Sequence, residues 1–259
     1  MLENVLAFFK HFPEINAGLS AGLMIFARLM GFTMFAPVLH RKELPILIKV
    51  SLAFLLTIIF VGILKPGIPP SDSSLVLSLV LNIAFGALIG FIAQTIFSAF
   101  AAAGDMINMQ MGLSSAVMFD PSTKSQSSIM GQFFGLFALI IFMNLGGMYW
   151  LLSAFERTFT VFPIYNTSIP LATVLNMDYL TLITSNVLTV GLQIAAPILL
   201  ASLAQDIILG IISKTAPQVN VFQLSFLFKP VLGAAIMIVI LPILYGVITD
   251  YFLYYSGIF

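Results

Sequence analysis

Long apolar runs separated by short polar punctuation set the rhythm of the chain, and they predict six helices. The first run extends from about Ile15 to Ala36 with one charge inside it, Arg28, and stops at Pro37, whose ring and missing N–H discourage further helix. The second covers about Leu44 to Leu64 and ends in KPGIPPSDSS (65–74), a Pro/Gly/Ser turn. The third extends from about Leu75 to Ala103, longer than one bilayer crossing requires. A fourth is expected over Ile129 to Leu152, followed by a short amphipathic piece with Glu156 and Arg157 before Pro163. The fifth runs from about Tyr179 to Ser213, with Pro197 as a kink and Asp206 inside, and the last from about Val231 to Tyr251.

Between the third and fourth runs the pattern fails. GDMINMQMGLSSAVMFDP (104–121) brings two acids, Asn108, Gln110, two glycines and four methionines, closed by an Asp-Pro turn at Pro121. Methionine is unbranched and polarizable, so Met106, Met109 and Met111 conform to irregular partners. Polar groups at membrane depth are tolerated only where protein or a watery cavity satisfies them. The alternation of Met with Asn108 and Gln110 therefore reads equally as core packing or as an irregular, re-entrant element lining a conduit. Gly104 and Gly112 would act as its hinges.

Composition places these runs in a membrane. The chain is 60% hydrophobic and 8% charged, with a mean hydropathy of +1.11, against about 45–50% apolar and about 25% charged in soluble domains. Its 259 residues accommodate about six spans and little else. Net charge is zero, and no basic run alternates with aromatics, so nucleic acid is not an expected partner. Cys is absent and His occurs twice, which excludes disulfides and thiolate sites and argues against a metal cofactor. The N-terminal MLENVLAFFKHFPE lacks a basic region before an apolar core, so no cleavable signal peptide is expected. The loop holding Arg41, Lys42 and Lys49 and the later loop with Lys214 and Lys229 carry the basic excess. Both are expected on the cytoplasmic side, with six passages and both termini outside.

No enzyme signature is present. Asp105, Asp120, Glu156, Asp178 and Asp206 are scattered, and no Gly-rich phosphate loop occurs. Gly86 and Gly90 form a small-xxx-small pair suited to close helix packing. Arg28, deep in an apolar run, calls for a buried ion pair or a subunit contact, with a pathway charge as the sharper alternative. Asp206 invites the same reading, or a helix end projecting beyond the hydrocarbon.

Three stretches, FARLMGFTMFAPVLHRKELPILIKVSLAFLL (26–56), GDMINMQMGLSSAVMFDP (104–121) and AAPILLASLAQDIILGIISKTAPQVNVFQLSFLFKPVLG (195–233), resemble the FliR family, the flagellar member of the FliR/SctT components of type III export gates. The PQVNVF box (217–222) is the most specific of these signals. The chain departs where the family often carries a Gly-His pair, reading GGMYW (146–150), and where Asp206 stands in place of a neutral residue. The resemblance implies a single all-α export-gate domain of tilted helical hairpins over 1–259. N-terminal helices would occupy 1–103, a plug-like loop 104–128 and C-terminal helices 129–259. It implies assembly with FliP and FliQ subunits in the bacterial inner membrane, at the flagellar basal body, to pass unfolded protein substrates without enzymatic activity. The segment 106–121 would enter the channel as a plug. Met106, Asn108, Met109, Gln110, Met111 and Phe119 are then the residues expected to line or close it, and Arg41, Lys42 and Lys214 are expected on the face that meets an FlhB-like switch component. The related injectisome gate and a stand-alone transporter remain the alternative readings.

Overall fold

Every regular element among the described residues is an α-helix. The computed structural model describes residues 13–41, 44–64, 75–114, 128–166 and 177–257. Among the described residues seven helices follow in order: α1 (Pro13–Phe35), α2 (Ile46–Leu64), α3 (Leu75–Gln110), α4 (Ile129–Asn144), α5 (Gly147–Val161), α6 (Met177–Thr215) and α7 (Val221–Ser256). Five are long and apolar enough to cross a membrane, and α4 with α5 make a sixth candidate if the bent pair is one span. At a rise of about 1.5 Å per residue, α3, α6 and α7 each reach beyond about 50 Å, well past a hydrocarbon core of about 30 Å.

Three boundaries differ from the sequence expectation, each for a local reason. α3 continues seven residues beyond Ala103, and there the Asp105 carboxylate and the Asn108 side-chain N–H find partners without leaving the helix. The expected fourth helix is two: the chain bends by 77° at Leu145–Gly146, where Gly146 takes φ 77°, a left-handed conformation that costs glycine little. The segment with Glu156 and Arg157 belongs to α5. α7 begins ten residues before the expected Val231. The side-chain oxygen of Asn220 accepts from the Gln223 N–H at 3.2 Å, capping the first turn. Pro230 and Pro242 lie inside that helix. Lys229, expected in a cytoplasmic loop, is therefore a helical residue.

The helices form two units that are interleaved along the chain. One comprises residues 1–94 and 151–180, the other 95–150 and 181–259, so α3 contributes to both. In the first unit, α1 and α3 meet backbone to backbone. A Cβ at Gly86 would collide with the Arg28 carbonyl, one at Gly31 with the Ile83 carbonyl, and one at Gly90 would lie 2.7 Å from the Phe32 oxygen. Small residues at such crossings allow the close packing on which helix association in lipid depends.

Arg28, fully buried, is the polar centre of this unit. Its Nε and Nη2 donate to Asn82 Oδ1 at 2.9 and 2.6 Å. Nη1 donates to the Thr158 carbonyl and hydroxyl, both at 3.1 Å, and Nη2 also donates to the Phe162 carbonyl at 2.8 Å. Five contacts match the five N–H donors of a guanidinium. The expected ion pair is thus replaced: among the described residues the partners of Arg28 are neutral. Thr158 and Phe162 lie at the C-terminal end of α5, where the negative end of the helix dipole favours a cation, and the Thr158 carbonyl also accepts from the Phe162 N–H at 2.8 Å. Phe159 lies under the guanidinium with its centroid 4.4 Å from Cζ. Asn82 extends the clamp by donating from Nδ2 to the Ile164 carbonyl at 2.9 Å and to the Ser78 carbonyl at 2.7 Å.

The second unit is built on small and aromatic residues. Phe97, Phe100, Phe142 and Phe252 pack with centroids 5.0 to 6.4 Å apart. Tyr251 packs edge-on against Phe100 and donates its hydroxyl to the Ile96 carbonyl at 3.3 Å. Gly191 on α6 brings that helix onto Ala99 of α3, where an added Cβ would lie 3.3 Å from the Ala99 oxygen.

Candidate functional site

The methionine-rich stretch predicted to be irregular is, as far as it is described, the last turns of α3 and its cap. Successive helical residues advance by about 100°, and this divides the stretch between two faces. Ile107, Asn108 and Met111 point inward, with exposures of 0, 5 and 2%. Asp105 and Met109, four residues apart, point outward, and Met109 is 73% exposed. Met106 and Gln110 are half-buried between them. The three methionines therefore do not share one surface.

Gly112 ends the helix. It takes φ 70°, its N–H donates to the Met109 carbonyl at 3.1 Å, and the Leu113 N–H donates to the Asn108 carbonyl at 3.1 Å. These two bonds around a left-handed glycine constitute a Schellman cap. The expected hinge at Gly112 is thus a helix stop. Gly104, the other expected hinge, is helical and serves close approach: a Cβ there would sit 2.5 Å from the Cα of Gly131 on α4.

The polar residues hold this end of α3 in place. Ser128 caps α4 by accepting from the Gly131 N–H at 2.8 Å, and its hydroxyl in turn donates to the Asp105 carboxylate. The N-terminus of α4 is thereby tied to the flank of α3, with a carboxylate near the positive end of the α4 dipole. The Asn108 side-chain amide donates to Ser114 Oγ at 3.0 Å. Its Oδ1 is buried with no partner. Met111 is anchored across the unit: a Cβ at Gly233 of α7 would lie 2.5 Å from its Cγ and 2.9 Å from both Sδ and Cε.

The other predicted positions are dispersed. Asp206, on the exposed side of α6, pairs with Lys229 of α7 at 2.8 Å, with side-chain exposures of 42 and 20%. That pair is partly exposed rather than sealed in a core. Lys214 is exposed in the last turn of α6, where its charge complements the helix dipole. Arg41 is half-buried in the segment after α1. Phe119, Pro121 and Lys42 lie outside the described residues. Sequence reasoning missed the Arg28–Asn82 clamp and the Met111–Gly233 contact, and it expected an ion pair at Asp206 without naming Lys229 as the partner.

Comparison with known proteins places these features in a family. Residues 19–254 match the model for bacterial export proteins, family 1. The chain is 29% identical over 222 residues to the flagellar biosynthetic protein FliR of Escherichia coli strain K12, covering 84% of this chain and 82% of that one. It is 27% identical over 234 residues to the flagellar biosynthetic protein FliR of Bacillus subtilis strain 168, with 90% of each covered. To the surface presentation of antigens protein SpaR of Shigella flexneri it is 27% identical over 231 residues, with 88% of each covered.

Proposed function

The chain belongs to the bacterial export proteins, family 1, and from that membership we propose that it is a non-enzymatic subunit of the flagellar type III protein export gate. It assembles with FliP and FliQ subunits in the inner membrane at the flagellar basal body, and unfolded proteins pass through the complex. The observation that carries this reading is the match over residues 19–254, shared with relatives named for flagellar biosynthesis along most of their length.

The chemistry of the α3 terminus supports a role in closure. A conduit for unfolded chains must block ions at rest and yield to side chains of every shape. A conformable closure suits that task better than a keyed one, and thioethers on flexible stems supply it. Met109 offers such a side chain to the exterior, flanked by Met106 and Gln110, while Met111 and Asn108 fix the base from which the segment carrying Phe119 and Pro121 departs. The proposal thus divides the methionines between closure and anchoring. Arg41, Lys42 and Lys214 are assigned to the cytoplasmic face that meets an FlhB-like switch component.

Co-purification in mild detergent tests the assembly. The native chain is expected to bring down FliP-like and FliQ-like subunits in one large particle, whereas a functional particle of this chain alone would favour a stand-alone transporter. An injectisome gate is the second reading, favoured by the 27% identity to SpaR. Restoration of motility, rather than of effector secretion, in a strain lacking its own relative of this chain separates the two.

A further inference from the structure

Three helices of the second unit converge where α3 ends. A narrow cleft of about 170 Å³ is lined there by Gln110 and Met111 at the end of α3, by Ser202 of α6, and by Lys229 and Gly233 of α7. Lys229 and Gly233 are four residues apart, so both lie on the α7 face that receives Met111. Ser202 and Asp206 are likewise four apart on α6. The Ser202 hydroxyl donates to the Leu199 carbonyl at 3.2 Å and so stays within its own helix. The Lys229 ammonium instead crosses to Asp206, at 2.8 and 3.0 Å from its two carboxylate oxygens. The ion pair thus ties α6 to α7 one helical turn from the glycine on which Met111 rests.

We infer that Asp206 and Lys229 are a positioning pair for the closure, holding α6 and α7 at the spacing that seats the foot of α3. They do so within the closure proposed above, on which this inference rests. A glycine seat has no side chain with which to grip, so Met111 is retained only while α7 keeps its distance from α3. That stretch of α7 is also its weak point. Pro230 lies between Lys229 and Gly233 and lacks the N–H that would complete the helix ladder, so the helix bends more readily there than an unbroken one. A tie at Lys229 acts beside that joint. A partly exposed ion pair adds little to the stability of the whole chain, but a small bias is enough to change how often a rarely open seat opens. A pair that served only to solvate the outer face of the hairpin would leave the seat indifferent to its charge.

The test compares the native chain in its membrane complex with Asp206→Asn and Lys229→Met, which remove a charge and keep the bulk, and with Lys229→Arg, which keeps the charge. The chain carries no cysteine, so spin labels on Met109→Cys and Val231→Cys, both at exposed positions, report the spacing of α3 and α7. One narrow distance distribution is expected in the otherwise native chain and with Lys229→Arg, and a broadened one with Asp206→Asn or Lys229→Met. In chains without the labels, ion leakage through the resting complex should rise about threefold in each neutral variant, the scale on which a partly exposed ion pair biases a two-state equilibrium. Lys229→Arg should leak no more than the native chain. The doubly neutral variant should also leak about threefold rather than about ninefold, because the second change removes nothing further. Unchanged spacing or leakage in the neutral variants, multiplied effects in the double variant, or Lys229→Arg as leaky as Lys229→Met overturns the inference. Met109→Ala, recorded alongside, separates this failure from that of the closure reading. If Met109→Ala leaks and the pair variants do not, the positioning pair falls and the closure reading stands. If the pair variants behave as expected while Met109→Ala stays tight, the pair stands and the assignment of closure to Met109 falls.

Discussion

Met111, the residue that follows α3, is seated on Gly233 of α7 so closely that a Cβ at Gly233 would lie 2.5 Å from the Met111 Cγ. The contact joins residues 122 positions apart and fixes the foot of the segment proposed to close the channel. Restoring a Cβ at that point should force the seat open. Gly233→Ala is expected to cost about 1–3 kcal/mol by overpacking, and Met111→Ala about 2–5 kcal/mol by leaving a cavity. The double variant should cost less than the sum, because the new methyl enters the vacated space. Thermal unfolding in mild detergent measures all three, and strict additivity would refute the seat.

The Arg28 clamp makes a sharper demand. Arg28→Leu strands Asn82 Oδ1 and the Phe162 carbonyl, at about 1–3 kcal/mol for each buried group left unpaired, while the Thr158 carbonyl keeps the Phe162 N–H. Arg28→Lys should not rescue, since an ammonium cannot reproduce a planar five-donor fork. Both variants are expected to lower the unfolding temperature and to expose the end of α5 to protease. Full stability in Arg28→Lys would show that charge alone, rather than the geometry of the fork, holds the cluster.

Much of the fold is legible because hydropathy writes long helices plainly. The stops at Pro37 and at KPGIPPSDSS needed only the chemistry of proline and glycine. The end of α3 and the start of α7 share one cause, which is that polar residues and prolines look like interruptions where neighbours accommodate them, whereas the break between α4 and α5 rests on the left-handed Gly146 inside an unbroken apolar run. Asp105 and Asn108 look like helix breakers, but Ser128 and Ser114 give their side chains partners, and the true stop waits for the left-handed Gly112. Asn220 with Gln223 three residues on was a readable cap for α7, obscured by Pro230 ten residues later. The candidate site was legible as a place but not as a geometry. Spacing alone could have shown that Met109 and Met111 diverge on a helix, whereas the seat at Gly233 and the clamp at Asn82 are contacts between distant parts of the chain that no local pattern encodes.

That division of the methionines has an electrical consequence. Met109→Ala and Met106→Ala should raise ion leakage through the assembled resting gate while leaving the stability of the chain within about 0.5 kcal/mol for the exposed Met109. Met111→Ala should raise leakage only alongside the loss of stability described above. Conductance recorded across membranes containing the assembled complex checks the pattern. Leakage that is unchanged in both Met106→Ala and Met109→Ala would remove closure from the role of this face.

The most direct measurement of the central claim, that the end of α3 faces the path of the exported chain, is crosslinking to a client stalled in transit. With a photo-crosslinking amino acid placed singly at Met109, at Met111 and at Leu47 of α2, which is 73% exposed, the stalled client should be captured at Met109 alone. Capture at Leu47 or nowhere, with Met109 silent, would contradict the account.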